Sequence, residues 1–75
     1  MADVSLRGHI HALKQTDRGV YGFLRVGDLD YFFLPSSLQN GASWSALYEG
    51  QVVEFQVVDH PKGLRARDGS VRVLP

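Results

Sequence analysis

Gly19-Val20-Tyr21-Gly22-Phe23-Leu24-Arg25-Val26, followed across a tight Gly27-Asp28-Leu29 connection by Asp30-Tyr31-Phe32-Phe33-Leu34-Pro35, is the stretch whose reading decides the fold. Successive side chains of an extended strand point to opposite faces, so residues two apart share a face. Val20, Gly22, Leu24 and Val26 therefore line one face of a strand over residues 20–26, and Tyr21, Phe23 and Arg25 line the other. The next strand, Tyr31 to Leu34, opens at Asp30 and ends at Pro35, which has no N–H to give to a ladder. Tyr31 and Phe33 fill its inner face and leave Phe32 outside with Tyr21 and Phe23. Three aromatic rings on the outer face of adjacent strands form an exposed apolar cluster, and such clusters usually mark a binding site.

Outward from this pair the short-strand pattern continues, and helical periodicity is almost absent. A first strand runs from about Val4 to Leu13, with Gly8 as a bend or bulge, and Lys14-Gln15-Thr16-Asp17-Arg18-Gly19 reads as a polar turn. Residues 36–48 form a longer loop containing the turn signal Asn40-Gly41, a lone Trp44 and room for one helical turn at Ser36-Ser37-Leu38. Glu49-Gly50 leads into a fourth strand, Gln51 to Val58, where Val53, Phe55 and Val57 alternate with Glu54 and Gln56. After the Asp59-His60-Pro61-Lys62-Gly63 loop, a fifth strand runs from about Leu64 to Leu74, interrupted near Asp68-Gly69, with Val71 and Val73 facing inward. Five short strands without repeat or linker predict one all-β domain over residues 1–75, an antiparallel barrel whose closure removes exposed edges. On pattern alone, an SH3-like and an OB-type barrel fit equally.

Composition bounds the function. There is no cysteine and hence no disulfide, and with only three histidines no structural zinc or other cofactor is expected. A domain of this size buries only about 60% of the surface its unfolded chain exposes, so one apolar core must supply a modest stability. No apolar run approaches a membrane span, and Met1-Ala2-Asp3-Val4 lacks the basic start and apolar stretch of a signal peptide, so a cytoplasmic protein without membrane contact is the expectation. Eight basic and eight acidic residues give zero net charge, which argues against tight binding to phosphates by charge alone. Stacking of bases on aromatic rings remains open as a mode of binding single strands. No Ser-His-Asp or Cys-His set, phosphate-cradling glycine loop or H-E-x-x-H motif supports an enzyme.

Gly19-Val20-Tyr21-Gly22-Phe23-Leu24 resembles the first ribonucleoprotein motif of cold-shock domains, K-G-F/Y-G-F-I/V, and Asp30-Tyr31-Phe32-Phe33-Leu34-Pro35-Ser36 resembles the second, D-V/I-F-V/F-H-F/W-S. Leu47-Tyr48-Glu49-Gly50-Gln51-Val52-Val53-Glu54-Phe55 is similar to the family's L-x-E-G-x-x-V-x-F strand, and Lys62-Gly63-Leu64-Arg65-Ala66 to its K-G-P-x-A loop. The resemblance spans nearly the whole chain in order. It implies a five-stranded antiparallel OB-type β-barrel that binds single-stranded RNA or DNA across strands two and three. Position by position, it implies stacking roles for Tyr21, Phe23 and Phe32, a flanking aromatic at Trp44, a base-edge contact at Asp30, and basic contacts at His11 and Lys62. Arg18, Arg25 and Arg65 add charge around the same face. The implied activity holds RNA open, as an RNA chaperone, antiterminator or regulator of transcription or translation does, with pyrimidine-rich strands favoured.

The chain also departs from the family. In Gly8-His9-Ile10-His11-Ala12-Leu13-Lys14 the stacking tryptophan of G-x-V-K-W-F-N is Ala12. The second motif's histidine and aromatic are Leu34 and Pro35, and the lysine opening the first motif is Gly19. One stacked base is worth roughly 1–3 kcal/mol, so two missing rings weaken binding by roughly 2–6 kcal/mol, about thirtyfold to several ten-thousandfold.

Each feature has a plainer reading. The three rings could pack beneath a loop or form a homodimer contact; Trp44 could tuck over the edge of the core; and Asp30 could bond the turn at Gly27-Asp28. His9 and His11, two apart on one strand, share a face and could simply be solvated, while Lys62, Arg65 and Arg67 could guard an edge strand against pairing. A protein-interaction or self-association module without nucleic-acid binding is the alternative in which these readings combine. If the partial platform binds bases, short oligonucleotides bind with dissociation constants in the micromolar range, and nanomolar affinity at physiological salt would contradict the count of missing rings.

Overall fold

The computed structural model describes residues 5–39, 42–60 and 63–75, so residues 1–4, the Asn40-Gly41 turn signal and Pro61-Lys62 lie outside it. Alternation of apolar and polar side chains produces strands β1 (Ser5–Thr16), β2 (Gly19–Val26), β3 (Leu29–Phe33), β4 (Val52–His60), β5 (Gly63–Ala66) and β6 (Arg72–Val73). Two 3-10 turns, Pro35–Ser37 and Trp44–Ala46, lie between β3 and β4. The order β1-β2-β3-β5-β4, with β4 also paired to β1, makes a ring-like sheet of five strands, and β6 is appended to β4. No helix among the described residues is long and apolar enough to cross a membrane.

β1 holds the ring together by serving two neighbours. Ser5 to His9 pair with β4, and His9 to Thr16 pair with β2. The register slips between Ile10 and Ala12, so the bulge sits at His11 rather than at Gly8, where the sequence reading placed the bend. Gly8 answers a different need: a Cβ there would run into the Arg25 carbonyl oxygen and the Val26 side chain.

Every junction in the ring is antiparallel except β3–β5, which is parallel and rests on the single register pair Phe32–Arg65. A closed ring with an odd number of strands cannot alternate direction all the way round. The wholly antiparallel arrangement expected from the sequence therefore gives way to one parallel seam. The predicted fifth strand is two strands, because the chain turns at Asp68-Gly69, with Gly69 at φ 75°. Val71 is inward as expected, whereas Val73 is 37% exposed, since its strand lies beyond β4 at the end of the sheet.

The core is Ile10, Leu24, Tyr31, Phe33, Leu38, Val53, Phe55, Ala66 and Val71. Tyr31 meets Phe55 edge-on with centroids 5.4 Å apart. The Pro35–Ser37 turn leads directly into this core at Leu38. Ser37 is fully buried, yet its hydroxyl accepts a hydrogen bond from the Leu34 N–H at 3.0 Å, and its carbonyl accepts one from the Val71 N–H at 2.9 Å. Phe33 occupies the space a side chain at Gly22 would need: a Cβ there would lie 2.6 Å from the Phe33 ring and 2.6 Å from the Ala12 carbonyl oxygen. Gly22→Ala is accordingly expected to lower the unfolding free energy by about 1–3 kcal/mol, read from urea denaturation. A variant as stable as the parent would show that Phe33 can move aside.

Candidate nucleic-acid interface

Packing of the inner face decides what stands on the outer face. The β2–β3 register sets Gly22 opposite Phe33 and Leu24 opposite Tyr31, all buried. The alternate pairs, Phe23 with Phe32 and Arg25 with Asp30, must then point outward, as must Tyr21 two residues before Phe23. The rings of Tyr21, Phe23 and Phe32 form a triangle with centroids 5.8 to 6.0 Å apart. Tyr21 and Phe32 are inclined by only 26°, while Phe23 stands edge-on to both. Each ring is half-buried, because each shields part of the others.

Neighbouring strands extend this face. Across β1, Ala12 lies opposite Phe23 and Lys14 opposite Tyr21. Across the parallel seam, Arg65 lies opposite Phe32, its guanidinium carbon 6.0 Å from the ring centroid, with a 3.5 Å ion pair to Asp68. One step along the strands runs a polar row, Asp30 on β3, Arg25 on β2 and His9 on β1. Arg25 and Asp30 form a forked pair, Nε to Oδ1 at 2.8 Å and Nη2 to Oδ2 at 3.1 Å. The hydrogen bonds from Arg25 hold the Asp30 carboxyl below the usual carboxylate range; burial opposes this, and the charges of Arg25, His11 and His9 assist. The same bonds raise the already high Arg25 pKa.

Of the residues singled out in the sequence, Tyr21, Phe23, Phe32 and Arg65 come together, with Arg25, Asp30 and His11 on one flank. Asp30 bonds Arg25, a third possibility beside a base edge or its own turn, and much of the Arg25 charge is thereby answered within the protein. Arg18 is exposed at the tip of the β1–β2 hairpin, where its N–H donates to the Thr16 hydroxyl at 3.2 Å. Trp44 lies elsewhere: its ring packs on Phe33 with centroids 4.8 Å apart, at the edge of the core, the plainer of its two readings. Lys62 falls outside the described residues.

Sequence reasoning missed Lys14 by assigning it to a turn. β1 continues to Thr16, the hairpin turns on Asp17-Arg18, and the register then fixes Lys14 beside Tyr21. A two-residue loop between extended segments was the signal for it. No protein-family model matches this chain, and no curated protein or solved structure matches it either.

The Arg25–Asp30 pair has a pH signature. A carboxyl whose pKa is lowered by folding contributes stability above its unfolded value, about 3.9, and that contribution is lost as the pH falls through the lower folded value. In carbon-detected NMR titrations, Asp30 is expected to titrate below the ordinary range and to return toward it in Arg25→Gln. Identical midpoints in the two proteins would show that the pair does not persist in solution.

Proposed function

We propose that this chain is a small OB-type barrel, similar to a diverged cold-shock domain, which binds single-stranded RNA or DNA weakly by stacking bases on Tyr21, Phe23 and Phe32. The observation that carries the reading is the triangle of outward rings on two adjacent central strands. A ring of five strands with one sparsely paired seam supports the OB assignment, since that fold is a partly open five-stranded barrel which binds oligonucleotides on the face of strands two and three. Every base has a flat face, so such a platform tolerates many sequences. Lys14 and Arg65 stand at opposite sides of the triangle, where a phosphate backbone running past the rings meets positive charge.

A module of this kind acts by occupancy rather than by catalysis. Holding bases apart from their complements keeps RNA single-stranded, the physical basis of an RNA chaperone or a regulator of transcription or translation, and a cytoplasmic site of action goes with it. With three rings and few unanswered charges, the footprint is short and release is fast.

Fluorescence anisotropy with labelled dT and U oligomers tests the reading. Tyr21→Ala, Phe23→Ala and Phe32→Ala are each expected to weaken binding by about 5- to 150-fold, the equivalent of roughly 1–3 kcal/mol for one stacked base. Circular dichroism and urea melts establish that the variants remain folded. Unchanged affinity in all three would overturn the proposal. If the parent's mass by light scattering also rises with concentration and the Phe variants abolish that rise, the rings are a homodimer contact.

A further inference from the structure

The polar flank of the aromatic face carries a second property, which rests on the reading of that face as a single-strand platform. We infer that His9 and His11 form a proton-operated anion subsite, which tightens the hold on the phosphates of a bound strand as pH falls. Both side chains are exposed, and their rings lie 6.4 Å apart at 75°. His9 is opposite Arg25 in the register, and His11 is the residue skipped at the β1 bulge between Ile10 and Ala12, which pairs with Phe23. The two imidazoles, two residues apart on β1, thus lie side by side between the Ala12–Phe23 pair and the His9–Arg25 pair. His9 lies opposite Arg25, the partner of Asp30, which places the subsite on the platform's flank.

The surrounding charges leave such a subsite nearly neutral until protons arrive. On β2 and β3, Arg25 is answered by Asp30. On β1 itself, Arg7 lies 4.0 Å from Glu54 of β4, which also accepts a 2.9 Å hydrogen bond from Arg72 of β6. Val52, the β4 residue opposite His9, carries no charge. Glu49, before β4, accepts a hydrogen bond from the Leu13 N–H at 3.4 Å. Lys14 and Tyr21 stand farther along the β1–β2 hairpin. Asp28, at the β2–β3 turn, adds a further negative charge that acts on Arg25.

The whole chain has zero net charge when its histidines are neutral, so two added protons alter its attraction to a polyanion in proportion. Histidine is the side chain whose ordinary pKa puts its charge change between about pH 5 and 8, and carboxylates and lysines titrate outside that window. For a single strand, each neutralised phosphate steepens the dependence of log K on log salt by about 0.7, which at about 0.1 M salt amounts to roughly fivefold in affinity. Two histidinium ions are then worth about 25-fold.

The test is an anisotropy titration with a short labelled dT oligomer in about 0.1 M salt at about pH 8 and about pH 5.5. The parent protein is expected to bind about 25-fold more tightly at the lower pH, with a salt slope steeper by about 1.4. The double variant His9→Gln/His11→Gln is expected to lose both effects, so that its affinity and its salt slope no longer change between the two pH values. His60→Gln, changing the remaining histidine, is expected to behave as the parent. A parent insensitive to pH, or a double variant that retains the response, overturns the inference. The platform reading is judged separately, by loss of binding in Phe23→Ala and Phe32→Ala at the higher pH; absence of binding by the parent at either pH overturns both.

Discussion

Competition for interior volume governs this molecule. A five-stranded ring encloses one small core, and Phe33, Tyr31, Leu24, Ile10 and Phe55 fill it. Phe33 fits only because Gly22, across the ladder, has no side chain. Since strand residues alternate, filling the inside with every second residue of β2 and β3 compels the residues between to face out. Three of those are aromatic, so an apolar surface on the hairpin follows from how the core is packed. The exposed rings and the buried ones are two halves of one constraint.

Much of this was legible in the sequence because a period of two carries both identity and direction. Val20 to Val26 and Tyr31 to Phe33 assign their own inner and outer faces, and the structure places Leu24, Tyr31 and Phe33 inside and Phe23 and Phe32 outside. Alternation carries no information about partners across a ladder. Lys14 beside Tyr21, Arg65 beside Phe32 and Asp30 on Arg25 are all consequences of register, which depends on turn length and on the bulge at His11. Trp44 illustrates the remaining gap: a ring in a loop has no periodicity to assign it, and its place is set by packing on Phe33. Which junction of the ring is parallel was illegible for another reason, since alternation within a strand does not say which neighbours it pairs with.

Charge is distributed with similar economy. Eight positive and eight negative residues cancel in total, and on the sheet surface they also cancel locally, as Arg25 with Asp30, Arg65 with Asp68, and Arg7 and Arg72 with Glu54. Exposed pairs of this kind add little to stability, a median of about 0–1 kcal/mol each. Their effect is on the field: paired charges weaken any long-range attraction to polyanions.

The seam between β3 and β5 has a mechanical meaning. Every other junction in the ring is a ladder of several register pairs, whereas this one rests on Phe32 opposite Arg65. Local opening is favoured where the fewest backbone groups are paired, which in this ring is the β3–β5 seam. Both residues of the seam belong to the aromatic face. A molecule that lay flat across them would brace the ring at its weakest junction, and its binding energy would then appear in part as resistance of the whole fold to unfolding.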